Sequence, residues 1–452
     1  MINRIKVEQI LVLGVLIAFL VPLNTNIGPI KIVTWNIPAL ALLFWISLRG
    51  LNRQRFRLSN FDLWDYSILG VGFIYLIMTL IGYDPIANLM FLNSWLFCLL
   101  LAFYFRRTYG KVLTPQMLII FAFISVGLES IIGLAQQITS SEIGNISVYF
   151  GQTPETTALR SIGDTDMGRV HGTLGTGNLV GSWICMFSPF IIYSSSYFKN
   201  RKLSIGISSM ILISIITILL TISRFNIALF VCVLGFSLYD YSRNNVSTRV
   251  RLKIKIASFL FVATLVGMAA ITTVKYWKEI GLMRQAIEFR FSDTFEEASK
   301  EGLGSSGLAA RMEMNKGALQ AFLRSPIIGV GFKNSRWIWP TVDAYVPRGW
   351  IFQPHNLYMI MLVEGGIFLF IFYVMFTLLP FYRMWQLRRV NDPLLIAFFL
   401  SLSSAMGIQM IYITFTSPTF TAVYMMMQGC AMGYMDQYLK NEEPSEKHAI
   451  TT

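Results

Sequence analysis

The stretch that decides the fold lies between Ser305 and Gly366. Its two ends read SSGLAARMEMNKGALQAFLRSPIIGVGF (305–332) and FQPHNLYMIMLVEGG (352–366). The first end has the pattern of a short amphipathic helix, and the second runs into a long apolar segment. Arg311 and His355 stand near the two predicted helix starts. Because bilayers tolerate such side chains badly, we interpret the rest of the chain as a scaffold that holds this stretch at one membrane face.

The composition excludes an ordinary soluble protein. The chain has 452 residues, of which 54% are hydrophobic and 13% charged, and its mean hydropathy is +0.57. A net charge of +13 would suggest nucleic acid as a partner in a soluble protein. Here the basic residues instead fall in alternate connections between apolar segments, which indicates membrane orientation and no nucleic-acid partner.

About twelve apolar segments are long enough to cross a bilayer. Every second connection between them is basic, and this pattern predicts that both termini are cytoplasmic. The predicted spans are 8–23, 31–48, 64–82, 86–105, 116–138, 175–198, 203–222, 225–239, 254–274, 356–380, 393–414 and 417–436.

The predicted fold class is an all-α polytopic membrane protein with a helical extracytoplasmic cap. Within the cap we expect a helix over 307–324, and after Tyr438 we expect a polar, disordered tail. The predicted units are 1–274 with nine spans and an outer loop at 139–173, 275–352 as the large outer loop, 353–438 with three spans, and 439–452 as a cytoplasmic tail.

His355 is a candidate catalytic base. Pro354 suits the first turn of the tenth span, which would place His355 and Asn356 at the outer N-terminus of that helix. The helix dipole disfavours imidazolium there, so the side chain would stay neutral and able to accept a proton. The alternative is an interfacial histidine that only caps the helix.

Four arginines are candidates for binding an anion. Arg311 lies in the first turn of its predicted helix, where a cation opposes the macrodipole unless an anion is bound. Arg224 interrupts an apolar run and needs a partner, or else it snorkels to lipid headgroups. Arg160 and Arg169 on the first outer loop are less constrained. Glu129 and Glu364 are predicted to be buried, with a role in helix packing or in shaping a diphosphate site.

No familiar metal or nucleotide motif is present in the sequence. The histidines and carboxylates lack the HxxxH, HExxH and DxD spacings, and neither a Walker A loop nor a Rossmann glycine fingerprint occurs. The four cysteines lie in apolar segments without CxxC spacing. We therefore predict no metal site, no cofactor and no familiar mode of nucleotide binding; if the chain uses a glycosyl donor, that donor is not a nucleotide sugar.

Four segments resemble the bacterial O-antigen ligase/polymerase family in their order and spacing. They are RVHGTLGTGN (169–178), TISR (221–224), SPIIGVGF (325–332) and PHNLYMIMLVEGG (354–366). The resemblance implies a GT-C-like fold and a metal-independent glycosyltransferase. The enzyme would take a glycan from undecaprenyl diphosphate at the outer face of the inner membrane.

The resemblance also implies roles for individual residues. Arg224 and Arg311 would hold the diphosphate, His355 would act on the acceptor hydroxyl, and Arg169 would assist less directly, with Arg160 and Asn356 as further substrate-binding candidates. The acceptor would be lipid A–core for a ligase or the next lipid-linked repeat for a polymerase, and the sequence does not decide between them. A flippase and a chain-length regulator are possible partners.

A lipid-linked oligosaccharide flippase or another transporter is the alternative class. It would predict internal repeats and charges at mid-membrane, whereas the unusual charges here gather on the predicted outer side. A non-catalytic scaffold would leave the costly arginines unexplained.

Overall fold

The computed structural model describes part of the chain, and all structural statements below concern that part. The described residues are 4–21, 24–27, 30–50, 61–81, 85–139, 143, 170, 172–174, 176–194, 197–198, 201–221, 223–244, 308–331, 354, 356–390, 392–411 and 417–449.

The described residues are almost entirely helical. Eleven of the helices coincide with predicted spans, and α9 is the helix that was predicted within the outer loop. The predicted span 254–274 lies outside the described residues, so the count of spans stays a prediction. The helices are α1 (Arg4–Leu20), α2 (Asn36–Gly50), α3 (Leu63–Ile81), α4 (Pro85–Thr108), α5 (Pro115–Thr139), α6 (Gly177–Tyr193), α7 (Arg201–Leu220), α8 (Arg224–Asn244), α9 (Leu308–Arg324), α10 (Leu357–Gln386), α11 (Pro393–Ile411) and α12 (Pro418–Ala449).

A short β-hairpin corrects the predicted second span. Strand β1 (Asn24–Ile27) pairs antiparallel with β2 (Ile30–Val33), and Ile27 lies opposite Ile30. The span predicted over 31–48 therefore begins as a strand, and α2 starts only at Asn36. Ile30, Ile32 and Val33 are β-branched and favour the extended conformation, so the fold is not purely α-helical.

Four of the described helices are long and apolar enough to cross a membrane on their own. They are α3, α5, α10 and the Pro393–Met410 part of α11. Large apolar side chains are exposed along them, among them Leu80 on α3 and Phe368 on α10. Because an aqueous surface would not favour such residues in this number, these faces suit contact with lipid.

Close pairs of helices form the core. α4 packs along α12, α3 along α10, and α6 along α11. Small residues permit the closest approach, since a Cβ on Gly429 would lie 2.1 Å from the carbonyl oxygen of Ala102. α6 is buried along nearly its whole length and also contacts α5, α7 and α8. It is therefore the central helix of the α5, α6, α7, α8 and α11 group.

Two helix ends differ from the sequence prediction. α10 begins at Leu357, not at Pro354, because Asn356 is its N-cap. The segment after Tyr438, predicted to be disordered, continues α12 as far as Ala449. Glu442, Glu443, Glu446 and Lys447 are good helix formers, but Pro444 among them disfavours a helix interior, so residue propensity alone does not explain this extension.

Candidate functional site

A turn between the predicted first outer loop and α6 is held by a buried carboxylate on α5. The described residues of this turn are Val170, 172–174 and Thr176, and we name it the 170–176 turn. Glu129 is 3% exposed. Its Oε2 accepts a hydrogen bond from the backbone nitrogen of Thr173 at 3.0 Å, and its Oε1 accepts one from the Thr173 hydroxyl. Both carboxylate oxygens are therefore used to fix the turn.

Gln136, two turns further along α5, holds the same turn through its amide. Its Oε1 accepts from the backbone nitrogen of Gly172 at 2.9 Å. Its Nε2 donates to the carbonyl oxygens of Gly172 at 3.1 Å and of Ile143 at 2.8 Å. Gly172 has φ +57°, and a Cβ there would come 2.0 Å from Oε2 of Glu129. Only glycine fits this position.

The 170–176 turn also contacts the connection between α7 and α8, where Arg224 stands. The backbone nitrogen of Val170 donates to the carbonyl oxygen of Leu220 at 3.5 Å. A Cβ on Gly177 would lie 3.1 Å from the carbonyl oxygen of Thr221. Asn226 Nδ2 donates to the carbonyl oxygen of Asn178 at 2.9 Å. The two segments that carry RVHGTLGTGN and TISR are thus packed together.

A second turn, Ser325–Gly331, joins the other two segments. We name it the 325–331 turn. The backbone nitrogens of Val330 and Gly331 donate to the carbonyl oxygens of Val363 and Glu364 at 2.9 and 3.0 Å. In return the backbone nitrogen of Ile367 donates to the carbonyl oxygen of Pro326 at 2.9 Å. The turn therefore pairs with α10 in the manner of a short strand.

This pairing is possible because α10 is interrupted at Gly366. Gly366 has φ +67° and ψ −165°, which removes the carbonyls of Val363 and Glu364 from regular helical hydrogen bonding. The facing Gly329 has φ +74°, and a Cβ there would lie 2.3 Å from the carbonyl oxygen of Glu364. Gly329 of SPIIGVGF and Gly366 of LVEGG are therefore both required by the close contact between the 325–331 turn and α10.

Asn356 caps the helix that follows His355. Its Oδ1 accepts from the backbone nitrogens of Tyr358 at 2.9 Å and Met359 at 3.2 Å. Those are two of the amides that a helix N-terminus leaves without an intrahelical partner. Pro354, on the other side of His355, is buried. The chain on either side of the predicted base is thus fixed.

The predicted site residues themselves are described only in part. Arg224 is the first residue of α8, and Arg311 lies in the first turn of α9, as the sequence predicted. The side chains of both arginines lie outside the described part of the chain, as do His355, Arg169 and Arg160 altogether. That these side chains converge on one cavity therefore stays a prediction.

Three arginines that the sequence indicated only as markers of orientation are parts of a buried charge network. Arg106 on α4 donates to both oxygens of Asp62 at 2.7 and 2.6 Å and to Asp436 of α12 at 2.9 Å. Arg383 of α10 pairs with the same two carboxylates, and Arg107 pairs with Asp65 at 2.7 Å. The sequence does contain a signal for this network: three aspartates stand at predicted span ends on the same membrane side as the arginines. They are Asp62, Asp65 and Asp436.

The network sets the ionisation of Asp62. Burial alone would raise the pKa of this carboxyl, but the hydrogen bonds and charge of Arg106, with the charge of Arg383, lower it to about 2. Each charged group of the network has an oppositely charged partner, and the network lies at the end of α10 away from His355. It therefore joins α3, α4, α10 and α12 structurally and forms no part of the candidate site.

No group of three or more His, Cys, Asp or Glu side chains in the described part of the chain could hold a metal ion.

Helices of this length and apolarity define a helical membrane protein. A family model described as O-antigen ligase matches residues 209–374, a range that includes Arg224, Arg311, His355 and the 325–331 turn. The resemblance to the O-antigen ligase/polymerase family is thereby confirmed. No curated protein matches the chain.

Proposed function

We propose that this protein is a membrane glycosyltransferase of the O-antigen ligase type. It moves a glycan from undecaprenyl diphosphate to a sugar hydroxyl at the outer face of the inner membrane. The donor and the acceptor are a lipid-linked glycan and either lipid A–core or another lipid-linked repeat. The observation that carries the proposal is the O-antigen ligase match over 209–374.

The proposed reaction is a displacement at the anomeric carbon. The acceptor hydroxyl oxygen forms a bond to this carbon while the bond between the carbon and the diphosphate oxygen breaks, and undecaprenyl diphosphate leaves with the electron pair. His355 accepts the hydroxyl proton. Arg224 and Arg311 stabilise the negative charge that develops on the leaving diphosphate. The reaction needs no metal ion.

The geometry supports this proposal through the backbone that surrounds these residues. Arg224 begins α8 beside the 170–176 turn, and Arg311 stands in the first turn of α9, whose far end is paired to α10. A helix N-terminus presents backbone amides and the positive end of the helix dipole, which suit a bound anion. Asn356 fixes the start of α10 directly after His355.

The test is transfer by the purified full chain in phospholipid vesicles. An undecaprenyl-diphosphate-linked glycan is supplied with either lipid A–core or an excess of lipid-linked repeat as the acceptor, and products are resolved by gel and mass spectrometry. We expect a glycosylated acceptor and released undecaprenyl diphosphate in one of the two arms, unchanged by EDTA. The arm that reacts distinguishes ligase from polymerase. Absence of transfer in both arms would contradict the proposal.

A further inference from the structure

The depth of the 325–331 turn can be measured against α10. The turn pairs with residues 363–367, which lie six to ten residues after the start of the helix at Leu357. At 1.5 Å per residue this is about 9–15 Å along the helix axis. The hydrocarbon core of a bilayer is about 30 Å thick. If α10 enters the core at Leu357, the turn lies well inside it.

The packing of α3 against α10 gives an independent measure of the same depth. Tyr75 Oη donates to Met361 Sδ at 2.9 Å, and a Cβ on Gly70 would touch the ring of Phe372. Residues 363–367 of α10 therefore lie between the levels of Tyr75 and Gly70. That is the middle part of α3, which runs from Leu63 to Ile81 and is long enough to span a bilayer. The distance along α10 and the contacts with α3 therefore place the turn at the same depth.

The surface of the turn has the character that this depth requires. No charged residue occurs between Ser325 and Gly331. Ile327 and Ile328 are 61% and 50% exposed, and they continue the exposed apolar face of α10 at Phe368 and Ile371, which are 53% and 44% exposed. Irregular backbone is tolerated at membrane depth only where its polar groups find partners in the protein. The hydrogen bonds to Val363, Glu364 and Ile367 supply such partners.

We infer that the 325–331 turn is a re-entrant element that descends into the bilayer from the face where α10 begins, with Ile327 and Ile328 against lipid acyl chains. The loop that carries Arg311 thus ends inside the membrane and not above it. α9, which leads into the turn, exposes Leu319 and Leu323 in its C-terminal half and ends at the exposed Arg324. The two leucines suit contact with hydrocarbon, and the long side chain of Arg324 can extend from there to the lipid headgroups. The inference does not depend on the proposed transfer reaction.

Spin-label accessibility tests the inference in the full chain. Cys232 is exposed and would take the label, so it is replaced by serine. Cys98, Cys185 and Cys430 are buried and are left in place. A nitroxide is then attached at Ile328→Cys in vesicles of phosphatidylethanolamine and phosphatidylglycerol. Collision rates with oxygen, which concentrates in hydrocarbon, and with a water-soluble nickel chelate are compared. Matched labels at Phe368→Cys on the lipid-facing side of α10 and at the exposed Arg388→Cys provide the two reference values.

We expect the oxygen-to-nickel ratio at Ile328 to equal the ratio at Phe368 and to exceed the ratio at Arg388. A ratio equal to that of Arg388 would mean that the turn faces water, and would overturn the inference. Low collision rates with both reagents would mean that protein covers the turn, and would overturn it as well. The same measurement at Ile327→Cys must agree with the result at Ile328, since both side chains are exposed on the same turn.

Discussion

Gly329 and Gly366 lie against each other although 37 positions separate them in the chain. A Cβ on Gly329 would come 2.5 Å from the backbone nitrogen of Gly366, and a Cβ on Gly366 would come 2.8 Å from the backbone nitrogen of Gly329. Both have positive φ. The contact joins the helix that carries Arg311 to the helix that follows His355. It therefore connects the two ends of the stretch from which the predicted site is built.

Gly329→Ala should destabilise the protein and abolish transfer. The new methyl group meets backbone on α10, and alanine disfavours φ +74°. We expect a loss of about 2 kcal/mol or more in unfolding free energy, measured by thermal unfolding followed through tryptophan fluorescence. Gly235→Ala is the matched control, since nothing lies within 4 Å of a Cβ there, and it should be neutral or slightly stabilising. Equal behaviour of the two variants would contradict the contact.

Glu129→Leu should release the 170–176 turn. It leaves the amide and the hydroxyl of Thr173 without their acceptors, at a cost of roughly 1–3 kcal/mol for each buried donor. Glu129→Gln keeps an acceptor oxygen, so it should retain more transfer activity than the leucine variant. Activity with each variant is compared at saturating and at limiting donor. A leucine variant with parental activity would show that the turn plays no part in the site.

His355→Ala should fold and insert normally yet lose transfer. Asn356 still caps α10 in this variant, because its Oδ1 bonds are made to Tyr358 and Met359. Loss of a general base lowers the rate by about 10²–10⁴-fold. Single-turnover transfer and donor binding are measured on the same preparation, and binding should be retained. Transfer near the parental rate would reduce His355 to an interfacial residue.

Arg224→Gln and Arg311→Gln should each weaken binding of the lipid diphosphate. A charge-assisted hydrogen bond contributes roughly 1.5–3 kcal/mol, which corresponds to about a 10–150-fold rise in Kd for undecaprenyl diphosphate. Arg388→Gln is the control, because Arg388 is exposed at the opposite end of α10 and its guanidinium stacks on Trp385. Binding is measured by titration in nanodiscs. If all three variants bind alike, the diphosphate site is elsewhere.

The charge network should make stability fall in acid. The pKa of Asp62 is lowered from its ordinary 3.8 to about 2 in the folded protein. The carboxylate therefore stabilises the fold above about pH 4, and this contribution is lost as the pH falls through 2. Thermal unfolding of the parent and of Asp62→Asn is compared between pH 5 and pH 2. The difference between them should shrink in acid, and a constant difference would contradict the pairing.

The positions of the helices could be predicted from apolar length alone, because a bilayer requires about 20 such residues in each crossing. The helix over 307–324 and the first-turn position of Arg311 followed from amphipathic spacing and were confirmed. The strand at Ile30–Val33 was missed because its three β-branched apolar residues, beside an apolar helix, look like the start of that helix. The length of an apolar run does not distinguish a short strand followed by a helix from one continuous helix.

Partners across the chain could not be predicted, since no spacing rule relates them. The sequence marked Glu129 as buried, but only the structure shows that its carboxylate holds the turn at Thr173, 44 residues away. The glycines of SPIIGVGF and LVEGG could be noticed as motifs. Their mutual contact depends on the interruption of α10 at Gly366, which apolar patterning does not reveal.

The pairing of Arg106 with Asp436 has a consequence for biosynthesis. The two residues are 330 positions apart, and α4 lies along α12 through the groove formed by Ala102 and Gly429. During synthesis α4 enters the membrane long before α12 leaves the ribosome, so the groove stays open at first, with Arg106 held by Asp62 and Asp65. The groove is therefore closed only when α12 has inserted. A chain truncated before α12 would offer quality-control proteases an open helical groove with an arginine that lacks its Asp436 partner.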